Sequence, residues 1–201
     1  MKYKFQDHYF HQAKKQNYLA RAVFKLKEIQ NKYKIINLGD RVLDLGAAPG
    51  SWIQYTSQVV GPKGLVVGVD MKEIDHSFSA NVVTLKADIF SSEFRENLAR
   101  GYAPFDVVLS DMAPATSGIR VADSARSALL FEEALNLAKT TLKSRGHFLA
   151  KIFQGSEFHD LLLRVKKEFD WVKVVKPDAS RKISKEIYIL AMRFKKPIDK
   201  E

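Results

Sequence analysis

Acidic residues accompany four successive apolar runs of the chain. Asp44 lies within the first run, Asp70 ends the second, Asp88 follows the third and Asp111 follows the fourth. Single acids in such places usually cap helices or shape turns. Four in succession at one edge of a sheet instead favour a ligand site, because ligands bind at the carboxyl ends of parallel strands.

A turn of small residues, Gly46-Ala47-Ala48-Pro49-Gly50, follows the first run. Taken alone, its glycines need only serve a tight connection between strand and helix. Asp70 follows Gly46 by 24 residues, a spacing suited to ribose hydroxyls, so a nicotinamide-dependent dehydrogenase is one candidate. The turn lacks the G-x-G-x-x-G pattern that holds a pyrophosphate, and an acidic rim repels phosphates. We therefore expect S-adenosylmethionine, a cationic nucleoside without phosphate, as the cofactor.

Each acid has an expected contact in such a site. Asp44 and Asp111 would face the methionine amino group or the sulfonium of the cofactor. Asp70 would bind the ribose, and Asp88 the adenine amino group. Trp52, which follows the turn, would form a wall of the pocket, although packing in the core is an equal alternative for a tryptophan there.

Three further charged residues interrupt or border apolar runs. Lys151 stands in the middle of Phe148-Leu149-Ala150-Lys151-Ile152-Phe153, where a charge costs free energy unless it is paired or functional. Lys25 follows Val23-Phe24, and Glu186 precedes Ile187-Tyr188-Ile189-Leu190. The simplest expectation for Lys151 is a strand-end lysine that reaches solvent. Taken one by one, Lys25 and Glu186 are also expected at the surface.

The apolar patterns predict the elements that carry these residues. Short β-branched runs predict strands over 41–45, 64–70, 82–85, 105–110, 147–153, 171–175 and 187–192. Helical patterns occupy 20–33, 51–60, 91–100, 123–143 and 156–169. Strands that alternate with helices predict an α/β fold with a doubly wound, mostly parallel sheet. Only about ten residues join the last two strands, so we expect the last strand to be antiparallel.

Size and charge frame this prediction. The 201 residues suit one domain, with a basic amino-terminal helical segment over 1–34 and a core over 35–201. Residues 1–34 carry nine Lys and Arg against two acids, and residues 164–201 carry twelve against six, whereas 35–163 carry twelve against fifteen. Basic ends around a mildly acidic centre fit a small-molecule site beside a polyanion such as nucleic acid. Lysine-rich ends that only maintain solubility are the alternative.

Composition excludes several classes of protein. The absence of cysteine excludes disulfides and thiolate metal sites, and we expect no metal. No apolar run is long enough to cross a bilayer, and the amino end lacks the apolar core of a secretory signal, so we expect a cytoplasmic protein without a membrane partner.

Five ordered segments resemble the FtsJ/RrmJ-type ribose 2′-O-methyltransferases along nearly the full chain. The segments are ARAVFKLKEIQ, VLDLGAAPGSWIQY, VVLSDMAPATSG, KIFQGSEF and KPDASRKISKEIYI. The resemblance implies a Rossmann-like class I methyltransferase fold with a seven-stranded sheet. It implies a Lys-Asp-Lys-Glu catalytic tetrad formed by Lys25, Asp111, Lys151 and Glu186. It also implies cofactor contacts by Gly50, Trp52, Asp70, Asp88 and Asp111.

The implied chemistry is methyl transfer from a sulfonium to a ribose hydroxyl. Such a hydroxyl is a poor nucleophile, so a neutral amine within hydrogen-bond reach would accept its proton. A free lysine is protonated near neutral pH, and burial with a neighbouring cation such as Lys25 would favour the neutral form of Lys151. Asp111 and Glu186 would orient the lysines, although their charges oppose that shift. Lys151 as a general base and Lys151 as a cation that stabilises an alkoxide both stay open.

The form SDMAPxxSG, followed by KPDxSRxxSKEIYI, resembles the bacterial enzymes that act on a uridine of large-subunit (23S-type) ribosomal RNA, free or within the assembled subunit. A tRNA ribose methyltransferase and a non-catalytic RNA-binding protein on the same fold are the alternatives. Expected phosphate contacts are Lys14, Lys15, Arg21, Lys27, Lys176, Arg181, Lys182 and Lys185, with Asp178 and Ser180 shaping the second loop. Four aromatics, Tyr3, Phe5, Tyr9 and Phe10, would anchor the amino end or stack on bases. We expect a monomer.

Overall fold

A computed structural model describes residues 8–180 and 184–195 of the chain. Its helices are α1 (His8–Lys15), α2 (Val23–Tyr33), α3 (Ser51–Val60), α4 (Ser92–Gly101), α5 (Arg120–Thr141) and α6 (Phe158–Glu168). Its strands are β1 (Arg41–Leu45), β2 (Leu65–Asp70), β3 (Val82–Lys86), β4 (Phe105–Ser110), β5 (Leu142–Phe153), β6 (Phe169–Val175) and β7 (Glu186–Phe194). The predicted Tyr3, Phe5, Arg181 and Lys182 contacts lie outside the described residues.

The seven strands form one sheet in the order β3-β2-β1-β4-β5-β7-β6. All neighbours are parallel except β7, which runs antiparallel to both β5 and β6. The predicted α/β class, the seven strands and the antiparallel last strand are therefore confirmed. The orientation of β7 matters for function, because its first residues lie at the edge where β1, β4 and β5 end: Tyr188 pairs with Lys151, and Ala150 pairs with Ser110.

Both faces of the sheet are covered, which explains why its strands are almost continuously apolar. One core holds Phe131 of α5 and Leu161 of α6 against Leu43 and Leu45 of β1. The other core, on the opposite face, holds α2 and α3 against Val42 of β1. Asp44 alternates with Leu43 and Leu45, so the period of two along a strand places it on the α2–α3 face.

Strand β5 differs most from its predicted bounds, because it begins at Leu142 instead of His147. Leu142 pairs with Phe105, and the register shifts before His147 pairs with Val107. The residues between them, Lys143-Ser144-Arg145-Gly146, include a positive φ of 65° at Arg145. Such a bulge lacks the apolar alternation from which strands are predicted, so the sequence pattern misses it.

Helix α1 packs against the start of α2 through a small cluster that includes Ala13, Val23, Phe24 and Ala179. The ring of Tyr9 lies 5.5 Å from that of Phe24, so Tyr9 anchors the amino-terminal segment. Phe10 is 47% exposed. None of the helices in the described ranges combines the length and apolarity that a bilayer span requires.

Candidate active site

A pocket of about 940 Å³ opens at the carboxyl edge of β1, β2 and β4. Its lining includes Gly46, Ala48, Asp70, Asp88, Ile89 and Asp111. The structure therefore brings the predicted acids Asp70, Asp88 and Asp111 to one cavity. Glu73 and Asp75 add to this acidic lining, and Lys72 is the basic residue among the lining residues.

The small-residue turn forms the floor of the pocket. Gly46 has a φ of +75°, and a Cβ there would lie 2.5 Å from Cγ of Met112. Gly46 and Ala47 both donate their backbone N–H to the carbonyl of Val69, which fixes the turn against β2. A glycine is required at position 46 because the chain turns there and Met112 approaches it closely.

Asp70 is held in a fixed orientation beside the turn. Its Oδ2 accepts a hydrogen bond from the Ala48 amide at 3.0 Å, and its Oδ1 accepts one from the Lys72 amide at 2.8 Å. Asp88 is exposed at the other side of the pocket and accepts a hydrogen bond from the Phe90 amide at 3.0 Å. Backbone amides thus hold both carboxylates in place at the pocket.

Gly50 and Trp52 lie beside the pocket and are not among its lining residues. Gly50 precedes α3 with a φ of +109°. Trp52 is buried; its Nε1–H donates to the carbonyl of Ala22 at 2.9 Å, and its ring lies 6.1 Å from that of Tyr188. The core-packing alternative for Trp52 therefore fits this structure, and its indole joins α3 to α2 and β7.

The four residues of the predicted tetrad meet next to the pocket. Nζ of Lys151 lies 2.9 Å from Oδ1 of Asp111 and also donates to the Asp111 carbonyl. Nζ of Lys25 lies 4.0 Å from the same Oδ1 and 2.9 Å from Oε2 of Glu186. Four separate elements supply these side chains: α2, the end of β4, β5 and the start of β7.

The expectation that these lysines reach the surface is wrong. The side chain of Lys151 is only 4% exposed and that of Lys25 only 10% exposed, whereas Glu186 keeps 24% of its side-chain surface. Burial is tolerated because each ammonium has a carboxylate within 3 Å. Sequence patterns show that a charge interrupts an apolar run, but they do not show its partner.

Sequence reasoning missed Tyr188, which completes the cluster. This tyrosine is fully buried on β7, pairs across the sheet with Lys151 and donates its hydroxyl hydrogen to Oδ1 of Asp111 at 2.6 Å. A signal was available, since a buried tyrosine hydroxyl needs a partner and Tyr188 lies in an apolar strand next to Glu186. Burial, followed by the charge of Asp111, raises the pKa of Tyr188, so its hydroxyl remains a donor.

The cluster keeps Asp111 ionised. Burial would raise the pKa of Asp111, but the charges of Lys151 and Lys25 and the hydrogen bond from Tyr188 outweigh it. The pKa of Asp111 is therefore lowered. Because the Asp111 carboxylate is ionised and lies close to two cations, it is a weak base. Its role is to orient Lys151 and Lys25.

Asp44 behaves differently from the other acids. It is 1% exposed, it is not among the pocket's lining residues, and both carboxylate oxygens lack a hydrogen-bond partner in the described part of the chain. Burial, then the charges of Asp111 and Asp70, raises its pKa well above the usual value. Asp44 therefore lies in the interior next to the acids of the pocket, and its predicted contact with the cofactor amino group or sulfonium stays a prediction.

The described parts of the two basic segments converge beside this cluster. The Arg21 guanidinium donates to the carbonyl of Ala179 at 2.6 Å, and Glu28 accepts a hydrogen bond from the Ala179 amide at 3.4 Å. Lys176 donates to the carbonyl of Ser184 at 3.0 Å. Lys14, Lys15 and Lys185, which belong to the same predicted set, lie in these two segments. Across residues 8–180 and 184–195, no group of three or more His, Asp or Glu side chains is placed to hold a metal ion.

Comparisons with known proteins match this geometry. A sequence model of the FtsJ-like methyltransferase family matches residues 18–194. The ribosomal RNA large subunit methyltransferase E of Syntrophobacter fumaroxidans is 63% identical over 196 residues, which cover 98% of this chain and 100% of that protein. The protein of the same name from Bdellovibrio bacteriovorus is 47% identical over 200 residues, covering 97% and 100%.

A solved structure shows the same architecture. The crystal structure of a Plasmodium falciparum protein described as a ribosomal RNA methyltransferase has a TM-score of 0.77 to this chain at 26% identity. The match covers 88% of this chain and 98% of that one. The sheet described above is a Rossmann-like methyltransferase sheet, as the sequence resemblance implies.

Replacing Asp44 by asparagine tests its buried, unpartnered state. Because the folded-state pKa is raised above the unfolded value of ~3.9, the unfolded chain ionises first as pH rises. The wild type therefore loses stability above about pH 4, by at most ~1.4 kcal/mol per pH unit, until the folded-state pKa is reached. Asparagine does not titrate. We therefore expect the free energy of unfolding of Asp44→Asn, measured in urea, to increase relative to that of the wild type as pH rises.

Asp75→Asn, at an exposed aspartate, is the matched control for Asp44→Asn. The pH dependence of its stability difference from the wild type is the reference against which that of Asp44→Asn is compared. A difference for Asp44→Asn that is flat, or that shrinks as pH rises, would contradict the raised pKa of Asp44.

Proposed function

The chain belongs to the FtsJ-like methyltransferase family, and on that premise we propose that it methylates a ribose 2′-hydroxyl of large-subunit ribosomal RNA with S-adenosylmethionine. The observation that carries the proposal is the cluster of two buried lysines, Lys151 and Lys25, with the carboxylates of Asp111 and Glu186 beside an acid-lined pocket. A uridine as the target nucleotide follows from the family resemblance. We also propose a cytoplasmic location, which is consistent with ribosomal RNA as the substrate.

The pocket suits the cofactor by its chemistry. Asp70, held by two backbone amides, presents acceptor oxygens of the kind that bind vicinal ribose hydroxyls. The acidic lining favours a cation over a phosphate. When bound, S-adenosylmethionine supplies a methyl group on a sulfonium, an excellent leaving group. Asp70, Asp88, Asp111 and the Gly46 turn are the residues that would hold it.

The protein's own residues must position and deprotonate the hydroxyl. Asp111, whose pKa is lowered, holds its charge and orients Lys151 at 2.9 Å, while the Tyr188 hydroxyl donates to the same carboxylate oxygen. Glu186 orients Lys25 in the same way. Lys151 is the buried amine nearest to Asp111. In its neutral form, Lys151 takes the proton of the ribose hydroxyl as the methyl group is transferred.

The RNA assignment rests on two observations. The described parts of the two basic segments lie far apart in sequence but meet at the tetrad through the Arg21–Ala179 and Lys25–Glu186 contacts. The names of the two similar bacterial proteins specify large-subunit ribosomal RNA. Together they support a polyanionic substrate that presents its ribose at the cluster.

Labelled cofactor distinguishes the substrate classes. RNA would be taken from cells that lack the protein and divided into assembled large subunits, deproteinised large-subunit RNA and transfer RNA. We expect label in large-subunit RNA, recovered as a 2′-O-methyl nucleoside.

The Lys151→Ala variant should bind the cofactor normally and lose about 10²- to 10⁴-fold in single-turnover rate, because its general base is gone.

Label found only in transfer RNA would contradict the substrate, and label on a base would contradict the ribose chemistry. Near-normal single-turnover activity of Lys151→Ala would contradict the role of Lys151. A rate difference between wild type and Lys151→Ala that varies with pH would support proton transfer as that role.

Two glycines provide a matched test of the cofactor site. Gly46 and Gly118 both have positive φ, +75° and +82°, so alanine is strained at either position. Only at Gly46 would the new Cβ meet a neighbour, Met112, whose Cα would be 3.0 Å away, whereas at Gly118 nothing lies within 4 Å. Because Met112 lines the pocket, we expect Gly46→Ala to weaken cofactor binding about tenfold or more.

Calorimetric titration with S-adenosylmethionine measures both variants. Gly118→Ala should bind within about threefold of the wild type, which corresponds to less than about 0.7 kcal/mol. Equal losses in the two variants would show that backbone strain, and not the contact with Met112, governs binding.

A further inference from the structure

A second cavity, of about 160 Å³, lies between helix α2 and strand β6. We define the α2–β6 groove by Ile29, Lys32 and Tyr33 on α2 with Lys173, Val175 and Lys176 on and just after β6. Strand β6 is an edge of the sheet, so the groove is open at the side of the molecule. None of the defining residues belongs to the tetrad or lines the cofactor pocket.

Two lysines from different elements are gathered at one aromatic ring in this groove. Nζ of Lys32 and Nζ of Lys173 each lie 5.7 Å from the centroid of the Tyr33 ring. The ring of Tyr33 also lies 5.8 Å from that of Trp171, at an interplanar angle of 52°. The ring attracts both cations, so the two positive charges lie close to the same aromatic side chain, that of Tyr33.

These two lysines have no carboxylate partner among the described residues, unlike Lys139 and Lys151. Glu28 also lines the groove, but its Oε2 is directed to the Ala179 amide. Like charges brought together without an acid repel each other, and an anion between them would relieve that repulsion. The groove is thus a site of net positive charge with an aromatic floor.

The groove is continuous with the tetrad. Lys25 and Lys32 are seven residues apart on α2, which places them on the same face about 10 Å apart along the helix axis. Val175, at the end of β6, pairs with Tyr188, the donor to Asp111. A strand of RNA whose target ribose lies at Lys151 would therefore extend along α2 into the groove within a few nucleotides.

We infer that the α2–β6 groove binds backbone phosphates of the RNA strand next to the target nucleotide, through Lys32, Lys173 and Lys176. This inference rests on the proposed function for the identity of the RNA. The groove supplies affinity and register, because lysines bind phosphate without reading sequence. Tyr33 offers a face on which an unpaired base stacks.

The test compares two double variants that remove the same charge. Lys32→Gln/Lys173→Gln alters the groove, whereas Lys63→Gln/Lys86→Gln alters exposed lysines outside the groove, the tetrad, the cofactor pocket and both basic segments. Filter binding of a large-subunit RNA fragment containing the target is measured from 50 to 300 mM salt, and methyl transfer is measured at saturating cofactor.

We expect the groove variant to bind RNA roughly three- to tenfold more weakly at intermediate salt. The plot of log affinity against log salt should become less steep, by about 0.7 for each phosphate contact that is lost. Its KM for RNA should rise while its kcat and its affinity for the cofactor stay at wild-type values. The control variant should match the wild type in slope and KM.

Several results would overturn the inference. Unchanged RNA affinity would mean that the lysines only protect the edge strand from pairing, a common role of lysine there. Equal losses in both double variants would show a response to net charge alone. If the wild type binds the fragment but methylates no ribosomal RNA, the proposed function fails, while the binding arm still decides whether the groove holds RNA.

Discussion

One partly buried carboxylate, that of Asp111, organises the active site. Oδ1 of Asp111 lies 2.9 Å from Nζ of Lys151 and 4.0 Å from Nζ of Lys25. It also accepts a hydrogen bond from the Tyr188 hydroxyl at 2.6 Å. An unpaired buried charge costs several kcal/mol, so neither lysine would be tolerated in its place without an acid. Because the partners come from α2, β4, β5 and β7, the site exists only when the centre of the sheet and its covering helix are assembled.

The topology explains how residues distant in sequence meet at that carboxylate. Parallel strands deliver their carboxyl ends to one edge, and the reversed β7 delivers its amino end to the same edge. The cofactor side of the edge is acidic, whereas the described parts of both basic segments, joined by the Arg21–Ala179 hydrogen bond, lie beside the tetrad. Such a division suits a cationic small molecule on one side and a polyanion on the other.

Much of this arrangement could be predicted from sequence, for specific reasons. The bounds of β1, β4 and α3 follow from clear periodicity and were predicted to the residue. The tetrad and three acids of the pocket follow from charges at strand ends together with the family resemblance. Asp44 and Trp52 lie in the interior, because alternation along β1 and the inward face of α3 turn both side chains away from solvent, and their predicted cofactor contacts stay predictions. Tyr188 was missed because a tyrosine in an apolar strand resembles ordinary core until its hydroxyl partner is known.

The central claim is that the Asp111 carboxylate positions the two lysines for ribose methylation. The most direct measurement is the single-turnover rate of methyl transfer to large-subunit RNA by Asp111→Asn at saturating cofactor, with binding of the cofactor measured separately. The account predicts a folded variant whose rate falls about 10²-fold or more, because the amide no longer carries the charge that holds Lys151 and Lys25. A rate within about threefold of the wild type, less than about 0.7 kcal/mol, would contradict it.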